Sequence, residues 1–228
     1  MKRLLSLSMV LVLLATLSAQ AQIRIGYQEG EKEKRQKDKS LSPYLRYNSY
    51  QLTLRYGVAQ PTGGMSTYLD QLSSTQIALS GELVYTQNYS LGVQFQSGVF
   101  KQRLPRQIYN FDGTDISAVQ TRTLSHYALL GHGSYYFTPV TSIIRPYVRA
   151  GVGLAIVDYV NYWGLIDDSK NSFTFTTQTA TGLKVLFGKE SHWGLDIQAN
   201  YQYTPFTYDY ITNVSTFGGS VGLSYRWW

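Results

Sequence analysis

The 228-residue sequence contains no cysteine. That removes disulfide staples, thiolate nucleophiles and Cys-based zinc sites together. Histidine is almost as scarce, with three: His126, His132 and His192. His126 and His132 fall on one face of a predicted strand. Their separation along it is ~20 Å, too far for one metal ion to bridge. No metal or cofactor is expected. Beyond Leu17 there is no apolar run of the ~18 residues that a spanning helix requires. The formal charge is +6, but it gathers into no basic face of the kind nucleic acid demands.

What the chain does have is aromatic residues and glycine: 20 Tyr, 20 Gly, nine Phe and four Trp. Its start is distinctive too. Lys2 and Arg3 precede an apolar stretch from Leu4 to Leu17, and Ala19-Gln20-Ala21 fits a small-x-small cleavage site. Residues 1–21 therefore read as a secretory signal peptide, cut after Ala21. Residues 22–46, with "EGEKEKRQKDKS", hold too few apolar side chains to offset the entropy of ordering. They are expected to form a flexible charged periplasmic segment.

From Tyr50 onward, apolar and polar residues alternate with period two, the signature of strands with two unlike faces. In "YQLTLRYGVAQ", Tyr50, Leu52, Leu54, Tyr56 and Val58 share one face, with Gln51, Thr53, Arg55 and Gly57 on the other. The pattern recurs around Ile77–Tyr85, Leu91–Val99, Tyr127–Phe137, Val148–Ile156, Phe173–Phe187, Trp193–Tyr203 and Phe217–Trp227. That makes eight strands. The links between them alternate: long near 61–75, 101–119, 159–171 and 204–213, shorter near 87–90, 138–145 and 188–192. Long loops on one side and short turns on the other are the habit of outer-membrane barrels. A soluble sandwich would turn its apolar face inward. Here the apolar face carries large aromatics near strand ends, as interfacial girdles do, and the other face carries Gly, Gln, Thr and isolated charges. The expected fold is all-β: an eight-stranded antiparallel up-and-down transmembrane β-barrel over residues 47–228.

The stretches "LTLRYGVAQPTGG", "RPYVRAGVGLAIVDY" and the closing "LSYRW" resemble the eight-stranded outer-membrane barrel families typified by OmpA and OmpX. The resemblance implies a bacterial outer-membrane location. It also implies an aromatic ending read by the barrel-assembly machinery, here Tyr225, Trp227 and Trp228. Trp227 holds the lipid-facing parity, and Trp228 is one residue more than the usual ending.

Six charged residues fall on the inward face: Arg55, Glu82, Arg149, Lys184, Asp196 and Arg226. An eight-stranded barrel is just wide enough for its side chains to fill it, so these charges are expected to pair into a plug. Asp196–Arg226 and Arg55–Glu82 are the expected pairs. A conducting pore lined by the same residues is the alternative. A lipid A-modifying enzyme is a third, since His132 and Ser134 share a face, but no acid lies between Asp115 and Asp158 to orient the histidine. The sequence favours a non-enzymatic barrel, monomeric, with a structural or surface-interaction role through its external loops "KQRLPRQIYNFDGTD" and "NYWGLIDDSKNS". Its expected partners are outer-membrane lipids, the assembly machinery and an extracellular ligand that the sequence does not name.

Overall fold

The computed structural model describes residues 49–111, 114–164, 166–188, 191–208 and 211–227. The expectations for residues 1–21 and 22–46, and for Trp228, fall outside them. Eight strands form one closed antiparallel barrel: β1 Ser49–Thr62, β2 Ser73–Val84, β3 Tyr89–Phe111, β4 Thr114–Tyr136, β5 Ile144–Trp163, β6 Ile166–Leu186, β7 Trp193–Thr204 and β8 Val214–Trp227. β8 pairs back onto β1, with Gln51 opposite Arg226. Direct partners can be followed once round the wall: Gln51, Glu82, Gly92, His132, Gly151, Gln178, Gln202, Thr216 and then Pro61. The circuit climbs from residue 51 to residue 61, a stagger of ten. The stagger tilts the strands and sets the bore. Because ten is even, each strand keeps one face in and one out all the way round.

The outer surface is apolar. Leu54, Tyr56, Leu91, Val152, Phe173 and Val221 are among its exposed side chains, each 51–66% accessible. Aromatics gather where the barrel's two chain ends meet. Tyr50, Tyr225 and Trp227 stack in a row with ring centroids 5.8 Å apart, and Trp193 lies 4.9 Å from Tyr225. Polar residues fill the inside. A soluble protein does not expose so large an apolar surface; lipid is the solvent that suits it. The parity of β4, the least regular stretch in sequence, follows the same rule: Tyr127, Leu129, Tyr135 and Phe137 face out while His126, His132 and Ser134 are buried.

Two of the expected long loops are not loops. β3 and β4 run 23 residues each, and β5 and β6 run 20 and 21, against 12–14 for the other four strands. About ten residues suffice to cross a bilayer at barrel tilt. The surplus builds a four-stranded wall on one side of the end opposite the chain ends. The β3–β4 ladder continues to Phe111–Thr114, β4–β5 to Gln120–Trp163 and β5–β6 to Trp163–Ile166. The β2–β3 ladder starts only at Ile77–Ser97, and β6–β7 ends at Thr177–Tyr203. Residues 101–119 and 159–171 read as loops in sequence because most of their described side chains are exposed on both faces of the wall, with Ala118, Tyr159 and Asn161 buried. The apolar alternation is lost there while the backbone ladder persists.

The opposite, shorter rim folds inward. A 3₁₀ turn at Gly63–Met65 and the segments after β1 and β7 cover the mouth. Met65, Tyr68, Leu69, Phe206, Ile211 and Val214 pack there against Phe100, Leu124, Val157 and Tyr159 from the inner face of the wall. The Tyr68 and Tyr159 hydroxyls lie 2.6 Å apart. Arg122 stacks 4.2 Å over the Tyr68 ring and donates to the Tyr68 carbonyl at 2.9 Å. The barrel thus carries a small apolar core at one mouth, built from inward-facing residues whose apolar character breaks the alternation.

Candidate functional site

The structure holds Arg55, Glu82, Arg149, Lys184, Asp196 and Arg226 inside the barrel, none more than 3% exposed. Three of them, Arg55, Arg149 and Lys184, converge on the two carboxylates, Glu82 and Asp196. Glu82 accepts from Arg149 Nη2 and, at 3.0 Å, from Lys184 Nζ on one oxygen. Its other oxygen accepts from Ser90 Oγ at 3.0 Å and Tyr136 Oη at 2.8 Å. Asp196 is held from one edge by Arg55, with Nε 3.1 Å from Oδ1 and Nη2 3.3 Å from Oδ2. Tyr147 Oη lies 2.9 Å from Asp196 and 3.0 Å from Gln198. Lys184 Nζ stands 3.8 Å from Asp196, between the two acids.

The pairing differs from the one the sequence suggests. Arg55 does approach Glu82, but only to 3.9 Å, and Asp196 bonds Arg55 rather than Arg226. Arg226 reaches across the bore to the Val140 carbonyl at 3.0 Å. The register explains the exchange. Asp196 sits opposite Gly222 on β8, and Gly222 sits opposite Arg55 on β1. With no side chain at Gly222, the Arg55 stem crosses β8 to reach β7. The same arrangement recurs where Gly182 lies between Tyr147 and Gln198. A Cβ on Gly222 would fall 2.7 Å from Arg55 Cγ and 2.8 Å from Arg55 Cα, while one on outward-facing Gly219 would meet nothing within 4 Å. Gly222→Ala should therefore destabilise the barrel by about 1–3 kcal/mol through overpacking, and Gly219→Ala should be tolerated. Urea midpoints of the two variants in detergent micelles check this.

Above the charges lies a layer of amides. Gln94 donates to Gln96 and Gln178, each at 3.0 Å; Gln178 donates to Gln96 at 2.7 Å; and Gln96 donates to Gln202 at 2.9 Å. Gln202 continues to Thr176, which lies 2.7 Å from Thr204. His126 is 3.2 Å from Thr204. The apolar core closes the stack. Two cavities within these layers measure about 10 Å³ each, room for one water apiece at most.

The enzyme alternative gains an acid and loses its nucleophile contact. Gly92, between Glu82 and His132, lets Glu82 approach within 3.9 Å of His132 Nε2. Yet Ser134 Oγ accepts from Arg149 Nε at 3.0 Å, and neither nitrogen of His132 makes a hydrogen bond. The sequence expectation also left out Arg145, which is buried beside Lys184 in the register. It lies one residue before Pro146, where the apolar alternation of β5 begins, so it read as turn. Its odd-numbered parity, shared with Tyr147 and Arg149, was the available signal.

No family model matches this sequence, and no curated protein does. Solved structures do. The attachment invasion locus protein Ail of Yersinia pestis superposes with a TM-score of 0.51 and 10% identity, covering 80% of this chain and 100% of that one. This chain has the fold of the eight-stranded outer-membrane barrels. Neisserial surface protein A is similar at a TM-score of 0.48 and 14% identity, over 79% and 96% of the two chains. Outer membrane protein OprG of Pseudomonas aeruginosa follows at 0.45 and 12%, over 80% and 97%. Identities this low speak to the barrel alone.

Proposed function

We propose that this chain is a non-conducting, non-enzymatic barrel of a bacterial outer membrane that acts through its raised wall. The observation that carries this is the filled interior: charges, amides and an apolar core stacked in series, with cavities of about 10 Å³. A solute has no path through such a stack. The wall, by contrast, is long and laddered strand to strand, and it presents Lys101, Arg103, Arg106 and a 72% exposed Ile108 on β3. Binding residues on a rigid scaffold need little ordering when a partner arrives. On this reading residues 1–21 leave during export, and the tail Tyr225, Trp227 and Trp228 addresses the assembly machinery. The barrel stands as a monomer in outer-membrane lipid and meets an extracellular ligand.

Two measurements test the proposal. Planar-bilayer recording of the refolded protein should give no stable conductance; steady open channels would replace this reading with a small porin. Arg103 and Thr121 are ladder partners, so an Asn-Gly turn joining them directly shortens the wall without touching the lumen charges. The shortened protein should fold to the same heat-resistant barrel, and cells carrying it should lose the surface attachment that the full chain confers. Equal attachment by both would sink the role of the wall.

A further inference from the structure

The outward face of β3 changes character at one point. Up to Val99 it carries Tyr89, Leu91, Val93, Phe95 and Val99, apolar and 36–65% exposed. That stretch matches the roughly nine to eleven residues with which a barrel strand crosses a bilayer. The next outward places hold Lys101, Arg103 and Arg106, all exposed. Arg106 owes its direction to the register. Arg103 faces Thr121 and Arg106 faces Val119, so the irregularity between them absorbs one extra residue and turns Arg106 to the same side as Arg103. Successive places on one face of a strand are about 7 Å apart. Three like charges therefore climb the wall in a row that begins where the apolar belt stops.

Nothing among the described residues neutralises that row. None of the three side chains makes an ion pair or a hydrogen bond there. The carboxylates that share the face stand away from it. Asp158 is level with Val99 but two strands off, Asp167 is level with Arg103 but three strands off, and Asp115 lies at the end of the β3–β4 ladder. Asp70 sits by the inward-facing Gln102. The neighbouring outward places on β4, opposite Lys101 and Arg103, are Thr123 and Thr121, and Tyr162 follows on β5. The other flank of the row is open, because the β2–β3 ladder begins only at Ile77–Ser97.

We propose that Lys101, Arg103 and Arg106 bind the phosphate groups of an outer-leaflet lipid, fixing the base of the wall to the headgroup layer. The row points sideways, along the membrane plane, and its first member stands one outward place beyond the last apolar residue of the belt. Headgroup phosphates are the anions found at that height. Each basic side chain near an anionic lipid surface adds to the attraction, and the two guanidinium forks can each take two phosphate oxygens. This rests on the reading of the chain as an outer-membrane barrel, and not on what the top of the wall meets.

The test uses the full chain refolded in nonionic detergent and titrated into fluorescently labelled, bisphosphorylated lipid A, with anisotropy as the readout. The wild type should bind saturably, and more weakly as salt is raised. The triple variant Lys101→Gln, Arg103→Gln, Arg106→Gln should bind about tenfold more weakly or worse. All three positions are exposed, so it should form the same heat-resistant barrel as the wild type. Lys170→Gln removes an exposed cation from the inner face of the wall and should leave binding unchanged. Lipid A stripped of its phosphates should bind the wild type no better than intact lipid A binds the triple variant. Equal binding by wild type and triple variant, or equal binding of intact and dephosphorylated lipid A, would overturn the site. Displacement of lipid A by inorganic phosphate at equal phosphate concentration would reassign the row to a free ion. Dextran sulfate bound as tightly as lipid A through the same three residues would reassign it to an extracellular polyanion. Either result overturns the lipid. Failure to form a heat-resistant barrel in detergent or in phosphatidylcholine vesicles would instead bring down the outer-membrane reading, and this inference with it.

Discussion

Glu82→Gln should be the most damaging single change in the bore. The glutamine keeps the shape and can still accept from Ser90 and Tyr136, but it removes the charge that Arg149 and Lys184 share. Two cations would then face each other in a space already rich in positive charge. Breaking a buried ion pair from one side costs about 3–5 kcal/mol, chiefly because the remaining charge is stranded. The loss should be partly recovered by Lys184→Met, which withdraws one stranded cation, so the double variant should be more stable than Glu82→Gln alone. Urea unfolding of the four combinations in liposomes measures the coupling. Strictly additive losses would mean that Glu82 and Lys184 do not act as a pair. By the same logic Asp196→Asn should be relieved by Arg55→Met and not by Arg226→Gln, because the Asp196 carboxylate is gripped by Arg55 while Arg226 bonds Val140.

That last contrast marks where sequence stops being legible. Parity alone tells which side chains enter the bore, because lipid and lumen impose opposite demands on alternate residues. It does not tell which of them touch. Nearest-strand logic pairs Asp196 with Arg226, since both lie on the last hairpin. In the barrel, contacts follow height rather than hairpins, and the stagger of ten separates register partners in height. Long side chains then cross an intervening strand wherever that strand offers a glycine, as Arg55 does at Gly222. The wall was hidden for a different reason. Water on both faces removes the apolar alternation from most of 101–119, and the remaining clue was the Asp-Gly pair at 112–113, a hairpin signal between Phe111 and Thr114. Gly164, at φ +67 beyond the end of β5, is the matching clue on the second hairpin. The apolar cap was visible only as exceptions. Phe100, Leu124 and Val157 carry lumen parity with a lipid-type side chain, and they make sense only once segments from the short rim are known to fold over them.

Val221→Arg and Ile108→Arg should separate lipid from water along one outer surface. Both residues are apolar and exposed, Val221 at 51% and Ile108 at 72%. Val221 lies on β8 midway between Phe217 and Tyr225, which sit toward opposite ends of the apolar belt. Arginine there would meet the middle of the bilayer, at a cost of about 2–4 kcal/mol. Ile108 lies on β3 eleven positions beyond Ser97, where the ladder with β2 begins, so it belongs to the part of the wall that stands clear of the membrane. Arginine at that position should change stability by no more than about 0.5 kcal/mol. The comparison is made in lipid vesicles by urea titration of both variants against wild type. A large loss at Ile108 would mean that the wall is embedded rather than raised. No loss at Val221 would mean that this face of β8 does not meet lipid, and the outward assignment of the whole barrel would fall with it, since the even stagger ties every strand to the same rule.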